Sequence, residues 1–328
     1  MASSKKIIAP VDKELIKAEL TDDRLLRETN RAGNRLYVVD NTCAPNVVRE
    51  IGRLREVAFR EGGGGTGKEV DLDEFDLNPA FKYKQLVLWD PEAEAIIGGY
   101  RFVLCDEVMY DKFGQPIMPS SHLFTFTKSY LRSAFLRTIE LSRSFVSPDY
   151  QSTRNASKSL YALDNLFDGL GALIVLYKGR MEYFFGKMTI YPSFPEEGLQ
   201  MLLYFLRKHF STKEDRMVIP KNPIKIKATR KFSSIFTETS FREDYKILKS
   251  EIHNRYGVNI PPLVNTYMNM SPTMRSFGAG INDEFGDVIE AGILIKFDEM
   301  HPEKIKRHVT FPDMASLRRR FARFLHTK

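Results

Sequence analysis

Residues 62–68 read GGGGTGK, which fits the first seven positions of the phosphate-binding pattern G-x-x-x-x-G-K-[ST]. The chemistry of that pattern is the cradling of nucleotide phosphates by backbone N–H groups where a strand turns into a helix. Here the order is reversed, because a helical stretch precedes the loop and an acidic run follows it. The eighth position, which should hold magnesium through a Ser or Thr hydroxyl, is Glu69. Asp71, Asp73, Glu74 and Asp76 would repel a triphosphate, so the nucleotide match is a decoy. The same aspartates lack the spacing and the glycine of a calcium loop. His122, His209, His253, His301, His308 and His326 form no spaced ligand pair, and no metal is expected. Five glycines in the six positions 62–67 are costly to order. A mobile loop beside an acidic cluster suits the gating of a site.

The elements around this loop follow from periodicity. RLYVVD (35–40) predicts a strand. Residues 45–61 place Val47, Ile51, Leu54 and Ala58 at helical spacing, so an amphipathic helix runs into the glycines. KQLVLWD (84–90) and AIIGGYRFVL (95–104) predict a hairpin across a short acidic turn. RTIELSRSFV (137–146) and MEYFFGKMTI (181–190) predict strands on either side of a long apolar helix over 157–178. Residues 191–256 break the rhythm with prolines and two helical stretches, and read as a helical insertion between core segments 1–190 and 257–328. In the last segment a short helix at PPLVNTYMNM precedes two strands around Asn282-Asp283. The mixture implies an α/β or α+β sheet with helices on its faces.

The chain has 328 residues, 43% hydrophobic and 28% charged, enough for a sizeable core. Two cysteines, Cys43 and Cys105, argue against a disulfide scaffold. The start MASSKKIIAPVDKE has no apolar run long enough for a signal peptide, and a cytoplasmic protein is expected. A net charge of +7 favours an acidic partner, either a carrier protein or an anionic membrane surface. No nucleic-acid motif is present, and nucleic acid is not the expected partner. In the tail 314–328, Met314, Leu317, Phe321 and Phe324 or Leu325 share a face opposite Arg318, Arg319, Arg320 and Arg323. Such a helix lies on an anionic membrane or packs on its own domain.

Four further pieces stand in order: Arg55-x-x-x-Phe59, Asp73-x-x-Asp76, Arg101 within GGYRF, and Glu140 with Arg143 within ELSRSFV. Together they resemble the acyl-carrier-protein-dependent branch of the GNAT acyltransferases. The nearest subfamily is the ornithine/glycine-lipid N-acyltransferases, often labelled hemolysin-like; the acyl-homoserine-lactone synthases are more distant. Residues 260–298 are similar to that family's P-P-L-x-x-A-Y helix and closing strands. The sequence departs from the pattern at Gln85, where a His is common, and in the pyrophosphate loop, met only in part by Gln151-x-x-Arg154-x-Ala156. The loss of the first loop glycine suits a carrier's phosphopantetheine arm better than coenzyme A.

The resemblance implies a GNAT-like splayed mixed sheet, and no bound cofactor. The co-substrate would be an acyl-ACP thioester on 4'-phosphopantetheine, with acyl-CoA as the alternative donor. The product would be a lyso-aminolipid made by N-acylating glycine or ornithine with a 3-hydroxy fatty acyl group. Acyl transfer to an amine needs a proton acceptor, groups that place the acceptor's carboxylate, and donors for the oxyanion. The resemblance gives Glu140 the first role, directly or through a water, and gives Arg101 and Arg143 the second. Strand alternation puts Glu140 and Arg143 on opposite faces unless the strand is bulged or splayed. Arg55, Phe59, Asp73 and Asp76 would form an ion-paired lid. Gln151, Arg154, Ser157 and Lys158 would receive the pantetheine phosphate at a helix start. Two other functions fit less of the pattern: a coenzyme A-dependent acetyltransferase of the same fold, and a non-catalytic lipid- or membrane-binding protein. The expected location is cytoplasmic, with a peripheral place on the inner membrane face as the alternative.

Overall fold

The computed structural model describes residues 4–151, 161–211, 216–312 and 314–321. The strands are β1 (Leu25–Glu28), β2 (Arg35–Val39), β3 (Lys84–Asp90), β4 (Ala95–Leu104), β5 (Phe124–Phe126), β6 (Thr138–Val146), β7 (Tyr183–Ile190), β8 (Val218–Pro220), β9 (Arg275–Asn282) and β10 (Val288–Lys296). The helices are α1 (Lys13–Glu19), α2 (Pro45–Glu61), α3 (Glu74–Leu77), α4 (Lys128–Leu131), α5 (Ala162–Leu176), α6 (Glu196–Phe210), α7 (Thr229–Ile235), α8 (Phe241–Tyr256), α9 (Pro262–Met268), α10 (Pro302–Lys304) and α11 (Met314–Arg320).

Eight strands form one sheet in the order β1-β2-β3-β4-β6-β7-β10-β9, and β5 pairs with β8 in a small ribbon. Neighbours in the large sheet are antiparallel except β6 and β7, which are parallel and pair only from Thr138↔Tyr183 to Glu140↔Phe185. Beyond that point β6 follows β4 as far as Gly98↔Val146, while β7 follows β10 as far as Ile289↔Ile190. The sheet therefore parts in its middle.

Alternation along each strand divides the apolar residues between two faces. Leu86, Tyr100, Phe102, Leu141, Phe184 and Ile293 belong to the core under α5. Val103, Phe185 and Leu294 pack on the other face against residues 105–135, and Tyr37, Val87 and Trp89 pack there against α2. Pro45 starts α2 at its first turn, and Val47, Val48, Ile51, Leu54 and Phe59 form its buried stripe. The β3–β4 turn is held by the Asp90 carboxylate, which accepts from the N–H groups of Glu92 and Ala93.

Among its described residues the segment 191–256 holds three helices and β8 rather than two helical stretches. It is built into the main core, where Phe205, Phe210, Phe232, Leu248 and Ile252 join the apolar cluster of the sheet. Of the helix expected over 157–178, the described part is Ala162–Leu176. In the tail, Leu317 and Phe321 are buried in the same core. Leu317 and Phe321 of the tail thus pack on their own domain, while Met314 is exposed; residues 322–328 of the expected tail helix lie outside the described residues. No helix among the described residues is long and apolar enough to cross a membrane.

Close backbone approach decides where β4 sits. A Cβ on Gly98 would collide with the carbonyl oxygen of Phe145 in β6, and one on Gly99 would lie 2.5 Å from that of Leu86 in β3. Gly98→Ala is expected to cost about 1–3 kcal/mol, as overpacking does. A lowered Tm in thermal denaturation checks this; an unchanged Tm would show that the strands can move apart freely.

Candidate active site at the parted strands

The opening between β6 and β7 is the mouth of a cavity of about 590 Å³. Residues 141–146 of β6 form one wall, and Lys187 and Thr189 of β7 form the other. The cavity reaches both faces of the sheet. On the α5 side it is bounded by Tyr100, Tyr150, Ala162, Leu163 and Tyr267, and on the α2 side by Phe59, Arg101, Phe285 and Glu290.

A bulge re-aims β6 at this wall. The β4–β6 register shifts between Gly99↔Phe145 and Arg101↔Ser142, so three steps on β6 face two on β4. Arg143 occupies the extra position with φ of 50°, a left-handed conformation that costs a non-glycine residue about 1–3 kcal/mol. The bulge resolves the alternation between Glu140 and Arg143. Arg143 lines the cavity, its Nε lies 3.0 Å from Asp71 Oδ2, and its guanidinium lies 4.3 Å from the Phe285 ring centroid.

Glu140 sits behind the wall rather than in it. Its side chain is buried and accepts a 2.6 Å hydrogen bond from Ser120 Oγ, next to the cavity-lining Pro119. Oε2 has no hydrogen-bond partner among the described residues. Burial pushes the carboxyl above its ordinary value; the Ser120 hydroxyl, Arg101 and Lys187 pull the other way. A carboxyl held high in this way suits a proton acceptor.

Arg55, Asp73 and Asp76 form a brace beside the cavity, not a lid over it. Arg55 Nη1 lies 3.0 Å from Asp76 Oδ1, and Arg101 Nη1 lies 2.9 Å from Asp76 Oδ2 and 2.6 Å from Asp73 Oδ1. Gln85, at the departure from the family pattern, accepts from Arg55 at 2.5 Å and donates to Asp76 Oδ1 at 2.9 Å. Asp73 and Asp76 also form a reciprocal capping box at the start of α3. Because Arg55, Arg101 and Asp76 are buried, this network is fixed between α2, α3, β3 and β4. Burial alone would push the Asp76 carboxyl up, but Arg101 and Arg55 outweigh it and hold it well below the usual carboxylate range. Arg101 Nε also donates to Ser142 Oγ, which ties the brace to the cavity wall. Phe59 meets Phe285 edge-on in that wall, with ring centroids 4.9 Å apart.

The glycine loop is pinned, contrary to the expected mobility. The N–H groups of Thr66 and Gly67 and the Thr66 hydroxyl all donate to the buried Glu56 carboxylate, at 3.1, 2.8 and 2.7 Å. Glu56 therefore takes the anion position that a phosphate would fill. Gly63, Gly65 and Gly67 have positive φ, which such a wrap requires. Of the residues expected to receive the donor's phosphate, Gln151 lines the cavity and bonds the Val146 carbonyl. Arg154, Ser157 and Lys158 lie outside the described residues.

Sequence reading missed Lys187 and Glu290, which both line the cavity. Their signal was a lone charge amid apolar neighbours, Lys187 in YFFGKMTI and Glu290 in VIEAGILI.

The sheet is mixed and parted at its one parallel pair, with a cavity through the opening and a buried carboxyl beside it. The acetyltransferase (GNAT) domain family matches residues 54–160, from within α2 to the approach of α5. The chain is 53% identical over 307 residues to the glycine N(alpha)-acyltransferase of Phocaeicola vulgatus, covering 93% of this chain and 92% of the relative. It is 53% identical over 305 residues to the glycine N(alpha)-acyltransferase of Bacteroides thetaiotaomicron, covering 93% and 89%. The chain belongs to this family of acyltransferases and transfers an acyl group to an amine. No solved structure matches it.

Two outcomes follow from the geometry. Asp76→Ala leaves two buried guanidinium groups without their shared partner and is expected to cost on the order of 3–5 kcal/mol in denaturant unfolding. Because the folded-state pKa of Asp76 is depressed, its contribution is present above the ordinary value of 3.8 and is lost as pH falls below it. The variant should therefore lose less stability on acidification than the parent; equal losses would contradict the brace. Glu140→Gln keeps an acceptor for Ser120 and should retain the parent Tm while kcat falls about 10²-fold or more. In the parent, activity should fall as pH drops through a value above the ordinary 4.5 of a glutamate, since the acceptor must be ionised. Near-parent turnover of the variant removes Glu140 from the mechanism.

Proposed function

We propose that this enzyme moves a fatty acyl group, 3-hydroxylated in its physiological donor, from acyl carrier protein to the amine of glycine. The observation that carries the reading is the asymmetry of the cavity. Its α5 side is apolar and aromatic, as an acyl thioester requires, and its α2 side carries Arg101, Arg143, Lys187 and Glu290, as a small charged acceptor requires. The choice of glycine over ornithine takes support from the names of the two relatives. The net charge of +7 favours an acidic carrier as donor.

In this reading the amine nitrogen attacks the thioester carbonyl carbon, the C–N bond forms, and the C–S bond breaks. The thiolate leaves on the pantetheine arm and takes up a proton. Glu140, whose carboxyl lies behind the wall, receives through an intervening water the proton that the ammonium gives up to become a free amine. The proton lost from nitrogen after the C–N bond forms goes to the leaving thiolate. Backbone N–H groups of β6 that have lost a β7 partner serve the developing oxyanion. Leu141 and Tyr267 border both the cavity and a narrow apolar crevice that also touches Leu170, Gly186, Ile293 and Met300. The crevice holds only about 30 Å³, so the acyl chain lies along the apolar α5 side of the main cavity rather than in the crevice.

The test is an assay of the purified chain with acyl carrier protein charged with a 3-hydroxy fatty acid and an equimolar mixture of glycine, alanine, serine and ornithine. Mass spectrometry should find N-acylglycine as the dominant product. Dominant N-acylornithine would overturn the acceptor. A kcat/KM for the matching acyl-coenzyme A equal to that for the carrier thioester would overturn the donor.

A further inference from the structure

One ion pair on the charged side of the cavity has as yet no individual role. Lys187 Nζ in β7 lies 2.7 Å from Glu290 Oε2 in β10, and Asn282 Nδ2 donates to the same oxygen at 2.9 Å. The other oxygen, Oε1, has a long 3.3 Å contact from Thr189 Oγ1 and retains lone-pair capacity for a further donor. In the β7–β10 register Thr189 stands opposite Glu290 and Lys187 opposite Gly292, so Lys187 and Glu290 are diagonal neighbours on one face. Lys187, Thr189 and Glu290 all line the cavity.

The side chains of Lys187 and Glu290 are 9% and 6% exposed, so this is not a surface bridge. A buried pair contributes little to stability compared with apolar residues of the same volume, and its place in a cavity wall points to recognition. Burial would push the Glu290 carboxyl up, but Lys187, Asn282 and Arg143 outweigh it and keep it ionised. The wall thus presents a fixed anion flanked by cations on both arms of the opening: Lys187 on β7, and Arg143 on the β6 bulge.

Free glycine is a zwitterion with its two charges one carbon apart. A wall that offers only arginines would bind its carboxylate and repel its ammonium. A wall with both signs within a side chain's reach binds it whole. Phe59, Tyr191 and Phe285 border the same side of the cavity and leave the acceptor an aromatic boundary.

We propose that Lys187 and Glu290 form the acceptor subsite, in which Glu290 accepts hydrogen bonds from the ammonium of the amino acid while Lys187, with Arg143, holds its carboxylate. The proposal rests on the small amino-acid acceptor argued above. It assigns Glu290 the placing of the nitrogen beside the thioester, and leaves the proton transfer to the group tested by Glu140→Gln.

The experiment uses the full chain with charged acyl carrier protein, and compares glycine with glycinamide, which has the ammonium but no carboxylate. Glu290→Gln should raise the KM for glycine about tenfold or more and leave the KM for the carrier thioester unchanged, the mark of lost acceptor binding. Lys187→Met should lower the preference for glycine over glycinamide by about tenfold. The exchanged pair Lys187→Glu with Glu290→Lys keeps the buried ion pair but inverts its polarity; glycine use should stay impaired. Recovery of glycine KM in the exchanged pair would overturn the proposal and leave a purely structural bridge. So would an unchanged glycine KM in Glu290→Gln, or an unchanged glycine preference in Lys187→Met. If Glu290→Gln does not fold, Lys187→Met decides, because methionine fills the lysine stem without a charge. A parent chain that acylates no amino acid at all refutes the functional reading instead, and that result is read before any variant is made.

Discussion

Everything in the site depends on two parallel strands ceasing to pair. After Glu140↔Phe185 the hydrogen bonds between β6 and β7 end, yet both strands continue, each held by its antiparallel neighbour on the far side. A sheet interior tolerates such a gap only if the freed backbone groups find partners, since unpaired buried N–H and C=O groups are costly. The gap is therefore a built opening, and a ligand that fills it can meet backbone donors as well as side chains. It also joins the two faces of the sheet, which lets an apolar thioester and a charged amine approach from opposite sides.

The opening is kept in shape by unusual local features on both flanks. On β4, Gly98 and Gly99 allow backbones to approach where a side chain would not fit, and the β6 bulge at Arg143 takes up the register shift. Beneath them the Arg55–Asp76–Arg101 network links α2, α3, β3 and β4, and Arg101 carries the linkage to Ser142 in the cavity wall. Such a buried network gains little net stability for its charges. It does hold the guanidinium groups in one geometry, and the wall depends on that geometry. The pinned glycine loop works in the same direction, with the Glu56 carboxylate as its internal anion.

Much of this was legible in the sequence. The α2 helix, the β3–β4 hairpin and the closing strands β9 and β10 fall where periodicity put them, because each has a long apolar stripe or run. The ordered motifs also reached the right neighbourhood: Arg101, Arg143 and Phe59 line the cavity, and Glu140 lies just behind it. Other features left no local signal. β5 and β8 are three residues each, too short to show alternation, and they find each other across more than ninety residues. The bracing role of Asp73 and Asp76 depends on burial, which spacing does not reveal. The glycine loop looked mobile because composition registers the cost of ordering glycines but not the carboxylate of Glu56 that orders these. Lys187 and Glu290 each read as an isolated charge, and only the β7–β10 register makes them a pair.

Acyl donor and amine acceptor are proposed to meet within the opening between β6 and β7. A crystal structure of the enzyme with its N-acylglycine product tests this most directly. The product amide should lie between residues 141–146 and 187–189, with the acyl chain on the α5 side and the glycine carboxylate on the side of Arg143 and Lys187. An amide bound away from the parted strands, or a product lying wholly on one face of the sheet, would contradict it.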